Sequence, residues 1–262
     1  MNKKYALVTG GSSGIGKAIC FELAKLNFNL LVVGRNEKNL NELQIELQNQ
    51  YKIDVTILKK DLSDVQQTNA IVDYINANKI NLSVLINNAG YGLWGTFAEL
   101  DLDAQFKMLH VNVNAVIILT HKLLPLLKQQ PQSYIMNVSS TTAFQPVPYL
   151  GLYAASKSLV DNFTKSLHIE LVKHAPNISV SSLLPGTTDT GFIDVGGFND
   201  KIKTMAKKVE MSPESVAKIA IKGMLQKKYE IIPGAINWWS AKAVGFLPAT
   251  IINHISKGIY EK

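Results

Sequence analysis

The chain has 262 residues, of which 47% are hydrophobic, and its 27 Lys and Arg against 20 Asp and Glu leave a net charge of +7. This length can bury one substantial core, and no linker, repeat or low-complexity stretch divides it, so we predict a single domain over residues 1–262. No basic run interleaved with aromatic residues accompanies the charge, which argues against nucleic-acid binding, and the single cysteine excludes a disulfide framework.

Strand-like and helix-like segments alternate regularly along the chain. The first strand-like run, residues 4–9, leads into a glycine-rich turn and a helical pattern over about residues 17–26. Further strand-like runs lie at about 30–33, 55–58, 84–86, 134–138, 178–184 and 230–232. Helical patterns lie at about 37–50, 64–77 and 102–127 and around Tyr153. This alternation predicts a parallel sheet of about seven strands with helices on both faces.

The turn after the first predicted strand is rich in glycine and stands between a strand and the start of a helix. Glycines in this context let the backbone approach a pyrophosphate, which the N-terminal amides and the dipole of the helix then face. The spacing Gly-x-x-x-Gly-x-Gly differs from the commonest dinucleotide fingerprint. The candidate cofactor-binding residues of this turn are Gly10, Ser12, Ser13, Gly14, Ile15 and Gly16.

Two other motifs overlap this turn. Residues 11–17 match most of a Walker loop, but Ala18 follows where an NTPase needs a Ser or Thr hydroxyl for magnesium. Ser12 fits the Gly-x-Ser-x-Gly elbow of hydrolases, but no His-Gly-Gly-Gly segment accompanies it, so a serine hydrolase stays a less favoured alternative. The five histidines show no metal-ligand spacing, and we predict no metal site.

A candidate proton-transfer site lies in the sequence Tyr153-Ala-Ala-Ser-Lys157. Residues four apart share a helix face, so Lys157 would lie beside the Tyr153 phenol. Because a neighbouring cation favours phenolate, we expect Lys157 to lower the Tyr153 pKa from its ordinary value near ~10. Ser140 lies upstream, just after a strand-like run. Together the three residues predict general acid/base chemistry.

The two ends of the chain differ in character. The N-terminus enters the first strand without an apolar leader, and no apolar stretch approaches the ~20 residues that span a bilayer, so we predict a cytoplasmic protein without a transmembrane segment. The C-terminal extension, residues 233–262, is apolar and contains Trp238 and Trp239. It would cover the protein's own core or a twin subunit, with a hydrophobic substrate pocket or peripheral membrane contact as the less favoured alternatives.

Several motifs follow one another in order over most of the chain. They are Thr9-Gly10-x-x-x-Gly14-x-Gly16, Asn87-Asn-Ala-Gly90, Asn112, Ser140, Tyr153-x-x-x-Lys157 and Pro185-Gly186. This combination resembles the short-chain dehydrogenase/reductase family, in its compact single-domain branch. The resemblance implies an α/β fold with a Rossmann-type doubly wound sheet. It also implies hydride exchange between a nicotinamide cofactor and a carbonyl or alcohol.

The resemblance further implies four catalytic roles. Tyr153 would protonate the carbonyl oxygen in reduction, or act as the base in reverse, and Ser140 would hydrogen-bond the same oxygen. Lys157 would hold the nicotinamide ribose and lower the Tyr153 pKa, while Asn112 would fix a water that links Lys157 to solvent. Ser139 competes for the serine role, but Ser140 precedes Tyr153 by thirteen residues, which is the family's spacing.

The choice of cofactor depends on the end of the second strand, where a carboxylate would bind a ribose 2′-hydroxyl and select NAD. Arg35 stands there, and because a guanidinium complements a 2′-phosphate, we expect NADP(H) to be preferred over NAD(H). Glu37 is better explained as a first-turn helix carboxylate than as a ribose ligand. The resemblance implies adenosine contacts from Asp61, Leu62, Asn88, Ala89 and Gly90, although Asp61 could instead cap a helix.

The nicotinamide and the substrate would lie near the residues that follow the sixth strand. The resemblance implies nicotinamide contacts from Pro185, Gly186, Thr188 and Thr190, with Thr188 at a place where the family usually has an aliphatic residue. Segment 191–211 is predicted to be a substrate lid. The expected pocket walls are the apolar tail with Trp94, Phe144 and Tyr149, which favours a hydrophobic ketone such as a fatty-acyl or steroid-like compound.

The resulting hypothesis is an NADPH-dependent reductase of a small-molecule ketone or aldehyde, or a dehydrogenase of the alcohol in reverse. Family members commonly form dimers or tetramers, so we expect a homodimer or homotetramer. A noncatalytic dinucleotide-binding sensor with the same fold is the alternative, and the intact set of catalytic residues disfavours it.

Overall fold

The computed structural model describes residues 3–190, 204, 207, 210–244 and 247–260. The strands are β1 Tyr5–Thr9, β2 Asn29–Gly34, β3 Val55–Lys59, β4 Leu82–Asn87, β5 Ser133–Val138, β6 Ile178–Leu183 and β7 Glu230–Ile231. The helices are α1 Gly14–Lys25, α2 Glu37–Tyr51, α3 Val65–Ala77, α4 Leu102–Leu109, α5 Ala115–Lys128, α6 Gly151–His174, α7 Pro213–Leu225, α8 Ala235–Val244 and α9 Ala249–Tyr260.

The seven strands form one parallel sheet in the order β3-β2-β1-β4-β5-β6-β7. Side chains alternate across it, so that Ala6 and Val8 of β1 pack on one face and Leu7 on the other. Helices α1, α2 and α7 cover the first face, and α3, α5 and α6 cover the second. The prediction of an α/β Rossmann-type doubly wound sheet is confirmed.

The order of the strands reverses between β1 and β4, which lie side by side although β2 and β3 separate them in the sequence. In open α/β sheets a crevice forms at such a switch point, outside the carboxyl ends of the strands. The glycine-rich turn follows β1, and the Asn87-Asn-Ala-Gly90 motif begins at the end of β4. The fold therefore brings these two motifs to the same crevice.

The helix predicted over residues 102–127 is interrupted by a π-helical turn, His110–Asn114, between α4 and α5. The whole run Leu102–Lys128 has 27 residues, and its most apolar 18-residue window has a mean hydropathy of 1.3. By length and composition it could span a membrane, which corrects the expectation that no stretch approaches that limit. Its apolar side packs on the sheet, with Leu119, Leu123 and Leu127 fully buried, so it is a core helix of this fold.

Candidate active site

A cavity of about 640 Å³ opens at the carboxyl ends of the strands. Of the residues predicted to bind cofactor or act in catalysis, all but Asn112 line this cavity. They are Gly10, Ser12, Ser13, Gly14, Ile15, Gly16, Arg35, Asp61, Leu62, Asn88, Ala89, Gly90, Ser140, Tyr153, Lys157, Pro185, Gly186, Thr188 and Thr190.

The glycine-rich turn has the backbone that a dinucleotide loop requires. Gly10 and Gly14 have φ of 66° and 51°, a region that favours glycine. A Cβ on Gly16 would collide with the carbonyl oxygen of Gly10, so the turn packs tightly on the start of α1. Ser13, the N-cap of α1, makes no side-chain cap hydrogen bond, which leaves the first amides of the helix available to an anion. These features fit the pyrophosphate of a dinucleotide.

The turns after β1 and β4 are fastened to each other. The Thr9 hydroxyl oxygen accepts from the amides of Asn88 at 3.0 Å and Ala89 at 3.1 Å. The Asn88 side-chain amide donates to the carbonyl oxygens of Thr9 at 2.9 Å and Gly10 at 3.2 Å. Asn88 therefore stabilises the floor of the cavity through its side chain as well as lining it.

Two cationic side chains lie where β2 and β3 end. Arg35 is exposed and lines the cavity, and so does Lys60, whose amide donates to the Gly34 carbonyl oxygen at 3.0 Å. Glu37 is the first residue of α2 and lies outside the cavity, where its carboxylate pairs with Lys59 at 2.7 Å. This ion pair holds the pKa of Glu37 below its ordinary value. This end of the cavity is thus suited to an anionic group.

Asp61 lines the cavity but does not cap α3. Its Oδ1 accepts from the Ser63 amide at 2.9 Å. The cap is Asp64, whose side chain accepts from the amides of Gln66 and Gln67. The capping alternative for Asp61 is therefore wrong, and its carboxylate remains at the cavity wall.

The three catalytic candidates meet at one point of the cavity. Tyr153 and Lys157 lie one turn apart on α6, and the Lys157 Nζ is 5.7 Å from the centroid of the Tyr153 ring. Ser140 follows β5 and hydrogen-bonds the Tyr153 phenol. The competing Ser139 instead donates its hydroxyl to the Lys157 carbonyl oxygen at 2.7 Å, which accounts for it structurally. The geometry thus favours Ser140 for the serine role.

The acid–base properties of the pair differ from the expectation. Burial raises the pKa of Tyr153 to about 12, and the hydrogen bond from Ser140 opposes that rise. Burial also lowers the pKa of Lys157 to about 8. The Lys157 ammonium donates to the Val138 carbonyl oxygen at 2.9 Å. The net lowering of the Tyr153 pKa that we expected is not found, because burial of the phenol sets the direction of the shift. Tyr153 therefore holds its proton firmly at neutral pH.

Asn112 lies behind the cavity wall, in the π-helical turn, and is buried. Its Oδ1 accepts from the Tyr91 amide at 3.0 Å, and its Nδ2 donates to the Tyr91 carbonyl oxygen at 3.0 Å and to Ser156 Oγ at 3.1 Å. A Cβ on Gly90 would lie 3.0 Å from both Asn112 Oδ1 and Lys157 Nζ. Asn112 and Lys157 are thus close neighbours across Gly90, while the Asn112 side chain braces the loop after β4.

Helix α8, in the C-terminal extension, forms part of the cavity wall near Ser140 and Tyr153, at what we call the substrate end. The residues of α8 that line the cavity are Asn237, Ser240, Ala241 and Val244. Its other side is exposed, with 75% of Ile236 and 69% of Trp239 accessible. Part of the tail is therefore a pocket wall rather than core, which was the less favoured expectation.

Trp94, Phe144 and Tyr149 do not line the main cavity, contrary to expectation. The rings of Trp94 and Tyr149 lie 5.3 Å apart, in an apolar cluster that also contains Tyr153. The Phe144 ring instead lies 5.4 Å from the Lys165 ammonium. These three aromatic residues thus lie outside the wall of the main cavity.

Backbone hydrogen bonds join the residues just before the predicted lid to its last residue, Met211. The Met211 amide donates to the Thr187 carbonyl oxygen at 3.1 Å, and the Asp189 amide donates to the Met211 carbonyl oxygen at 3.2 Å. The Thr188 hydroxyl donates to the Gly186 carbonyl oxygen at 3.1 Å. Apart from residues 204, 207, 210 and 211, the lid segment 191–211 lies outside the described residues.

The hydrolase alternative finds no support in this site. In the part of the chain that the structure describes, no histidine lines the cavity that contains Ser12. Cys20 is buried in α1, and burial raises the pKa of its thiol to about 12, so it is a core residue rather than a nucleophile. Within the same described ranges, no group of three or more His, Cys, Asp or Glu side chains could hold a metal ion.

The sequence matches the family model described as short chain dehydrogenase over residues 4–195. The chain belongs to the short-chain dehydrogenase family. It is therefore an oxidoreductase that acts on alcohol or carbonyl groups, as the motifs predict.

Relatives of this dehydrogenase cover most of its length. An uncharacterised oxidoreductase of Staphylococcus epidermidis is 30% identical over 212 residues, 80% of the chain and 88% of the relative. An NADP-dependent 3-hydroxy acid dehydrogenase of Schizosaccharomyces pombe is 29% identical over 238 residues, 88% of the chain and 91% of the relative.

Two solved structures show the same fold. A short-chain dehydrogenase from Sphingobium yanoikuyae in complex with NADPH has a TM-score of 0.81, 24% identity and 93% coverage of both chains. One from Burkholderia phymatum in complex with NAD has a TM-score of 0.83, 22% identity and 92% coverage of both.

Lys60 and the individual residues of α8 are among the cavity residues of the dehydrogenase that sequence reasoning missed. Lys60 directly follows β3, so its place at the carboxyl end of a parallel strand was a usable signal. The α8 residues at positions 237, 240, 241 and 244 have the spacing of one helix face, and Asn237 and Ser240 are more polar than the neighbouring Trp238 and Trp239. That pattern distinguishes a cavity wall from a face buried in the core.

Proposed function

We propose that this dehydrogenase is an NADPH-dependent reductase of a ketone or aldehyde, able to oxidise the alcohol in reverse. The observation that carries the proposal is the meeting of Ser140, Tyr153 and Lys157 in the same cavity as the glycine-rich turn. A proton donor and a dinucleotide loop in one crevice are the two parts that carbonyl reduction needs.

The preference for NADPH rests on the charges at the adenosine end. Arg35 and Lys60 line that end and would attract a 2′-phosphate, while Glu37 is held outside by Lys59. The named yeast relative is NADP-dependent, and one solved relative is in complex with NADPH. The Burkholderia relative is in complex with NAD, so the preference rests chiefly on this chain's own cations.

The proposed mechanism depends on the protonation state of the Tyr153 phenol. The nicotinamide cofactor, when bound, supplies a hydride to the carbonyl carbon. Tyr153, which burial keeps protonated at neutral pH, donates its proton to the carbonyl oxygen as negative charge develops there. The Ser140 hydroxyl donates a hydrogen bond to the same oxygen and orients it. Lys157 lies beside Tyr153 and Asn112, where its ammonium stabilises the phenolate that remains.

The decisive experiment is Tyr153→Phe, assayed by loss of NADPH absorbance over a panel of ketones and aldehydes. Removing the proton donor should reduce kcat by about 100-fold or more, because general acid catalysis contributes ~10²–10⁴-fold. The dissociation constant for NADPH should stay within about threefold, since the glycine turn is untouched. Tyr134→Phe, on β5 outside the cavity, is the matched control and should retain full turnover. Unimpaired reduction by Tyr153→Phe would refute the proposed acid.

The proposal includes a single catalytic domain over residues 1–262 and a hydrophobic carbonyl substrate. Self-association as a homodimer or homotetramer is supported by apolar side chains on the outer face of α6, where Ile169 and Val172 are 73% and 60% exposed. Location in the cytoplasm stays a prediction.

A further inference from the structure

A second, smaller cavity of about 150 Å³ borders Tyr153 and has no residue of the glycine-rich turn in its wall. It is formed between the loop 93–100 and the turn 147–152, which leads into α6. It shares two wall residues with the main cavity, Leu150 and Tyr153. The residue proposed to hold the reacting carbonyl therefore borders both spaces.

The walls of the second cavity are apolar. They include Leu93, Met108, Val147 and Leu150, and Met108 and Val147 are almost fully buried. The one amide side chain among the described wall residues, Gln105, donates its Nε2 to the Leu100 carbonyl oxygen at 3.1 Å. A dry apolar cavity of ~150 Å³ in another protein binds benzene. The second cavity thus has room for a phenyl ring or an alkyl group of similar size.

The backbone in the wall of this cavity has an uncommon conformation and is held by hydrogen bonds. Tyr149, in its wall, has φ of 64°, a left-handed conformation that is strained for a tyrosine. The Gly95 amide donates to the Tyr149 carbonyl oxygen at 3.0 Å, and the Leu150 amide donates to the Val147 carbonyl oxygen at 3.1 Å. The first bond ties the loop 93–100 to the turn before α6, and the second lies within that turn. Strain of this kind is typically found at ligand-binding and catalytic sites.

We propose that the second cavity is a substrate subsite, which takes one apolar substituent of the reacting carbonyl, up to a phenyl ring in size. The proposal rests on the proposed function and narrows its substrate class. With the carbonyl oxygen at the Tyr153 hydroxyl, a substituent that extends past Leu150 enters the second cavity. Any bulkier part of the substrate must stay in the main cavity, because a cavity of about 150 Å³ has room for little more than one ring.

Val147→Phe is the test, because Val147 lines the second cavity and a phenyl side chain there would occupy that space. The probes are acetophenone, which carries a phenyl arm, and acetone, which carries none. We expect kcat/KM for acetophenone to fall about tenfold or more, and kcat/KM for acetone to stay within about threefold. Val147→Ile, which adds one methylene, should give an intermediate loss. Val65→Phe, at the exposed start of α3, is the matched control and should change neither value.

A binding measurement separates the subsite from the catalysis. Benzene should raise the melting temperature of the unaltered protein and should have no such effect on Val147→Phe, since a ligand that binds only the folded state stabilises it. An equal loss for acetone and acetophenone, or an undiminished benzene shift in Val147→Phe, would overturn the subsite. Absence of turnover with every carbonyl compound would overturn the proposed function instead, and the benzene shift would still report whether the cavity binds an apolar ring.

Discussion

The two ends of the main cavity differ in whether backbone or side-chain atoms form their walls. The dinucleotide end is made largely of backbone, with Gly10 and Gly16 packed against the turn after β4 and Gly14 packed against Thr190. The substrate end is made of side chains from α8 and from the segments around Ser140 and Tyr153. A backbone site leaves a local sequence motif, because only glycine fits it, whereas many side chains could form a wall. The first end should therefore tolerate far less change than the second.

The largest effect is expected from Gly16→Val. Its Cβ would collide with the Gly10 carbonyl oxygen, and backbone cannot move aside as a flexible side chain can. We expect affinity for NADPH to fall more than about 100-fold, with a lower melting temperature, measured by fluorescence titration and thermal unfolding. Gly258→Val on α9, where a new Cβ meets nothing within 4 Å, is the matched control. Normal NADPH binding by Gly16→Val would show that the turn is not the cofactor site.

An intermediate effect is expected from Arg35→Asp, which changes a side chain at the dinucleotide end. Replacing the guanidinium by a carboxylate removes attraction to the 2′-phosphate and adds repulsion, so the dissociation constant for NADPH should rise about tenfold or more while that for NADH changes little. Lys38→Asp makes the same change in charge at an exposed residue outside the cavity and should alter neither constant. Equal weakening of NADPH and NADH by Arg35→Asp would remove the argument for NADPH.

The smallest effect is expected from Asn237→Ala, at the substrate end. The Asn237 side chain packs over Gly186, where an added Cβ would lie 2.5 Å from its Oδ1, and its Nδ2 donates to the Pro233 carbonyl oxygen at 2.8 Å. Losing that bond should lower the melting temperature by about 2–4 °C, since one hydrogen bond contributes ~1 kcal/mol. The KM for the carbonyl substrate should change by less than about tenfold. Asn253→Ala, on exposed α9, provides the comparison. A loss as large as that of Gly16→Val would abolish the contrast between the two ends.

The contrast between an end formed by backbone and an end formed by side chains also explains which features could be predicted from the sequence. Strand alternation and the glycine spacing were sufficient for the sheet and the dinucleotide end, because both depend on local patterns. The π-helical turn at His110–Asn114 was missed, since it is a single turn inside an apolar stretch that is otherwise α-helical on both sides. The direction of the Tyr153 pKa shift was also missed, because spacing shows that Lys157 is near but does not show that burial outweighs it.

The paired backbone at Thr187 and Met211 limits what a change of length between them would cost. Because these two points already lie side by side, the entropy of closing the loop grows only slowly with the number of residues in it. A longer or shorter connection is therefore inexpensive here, provided that it keeps Thr188 and Thr190 at the wall of the main cavity.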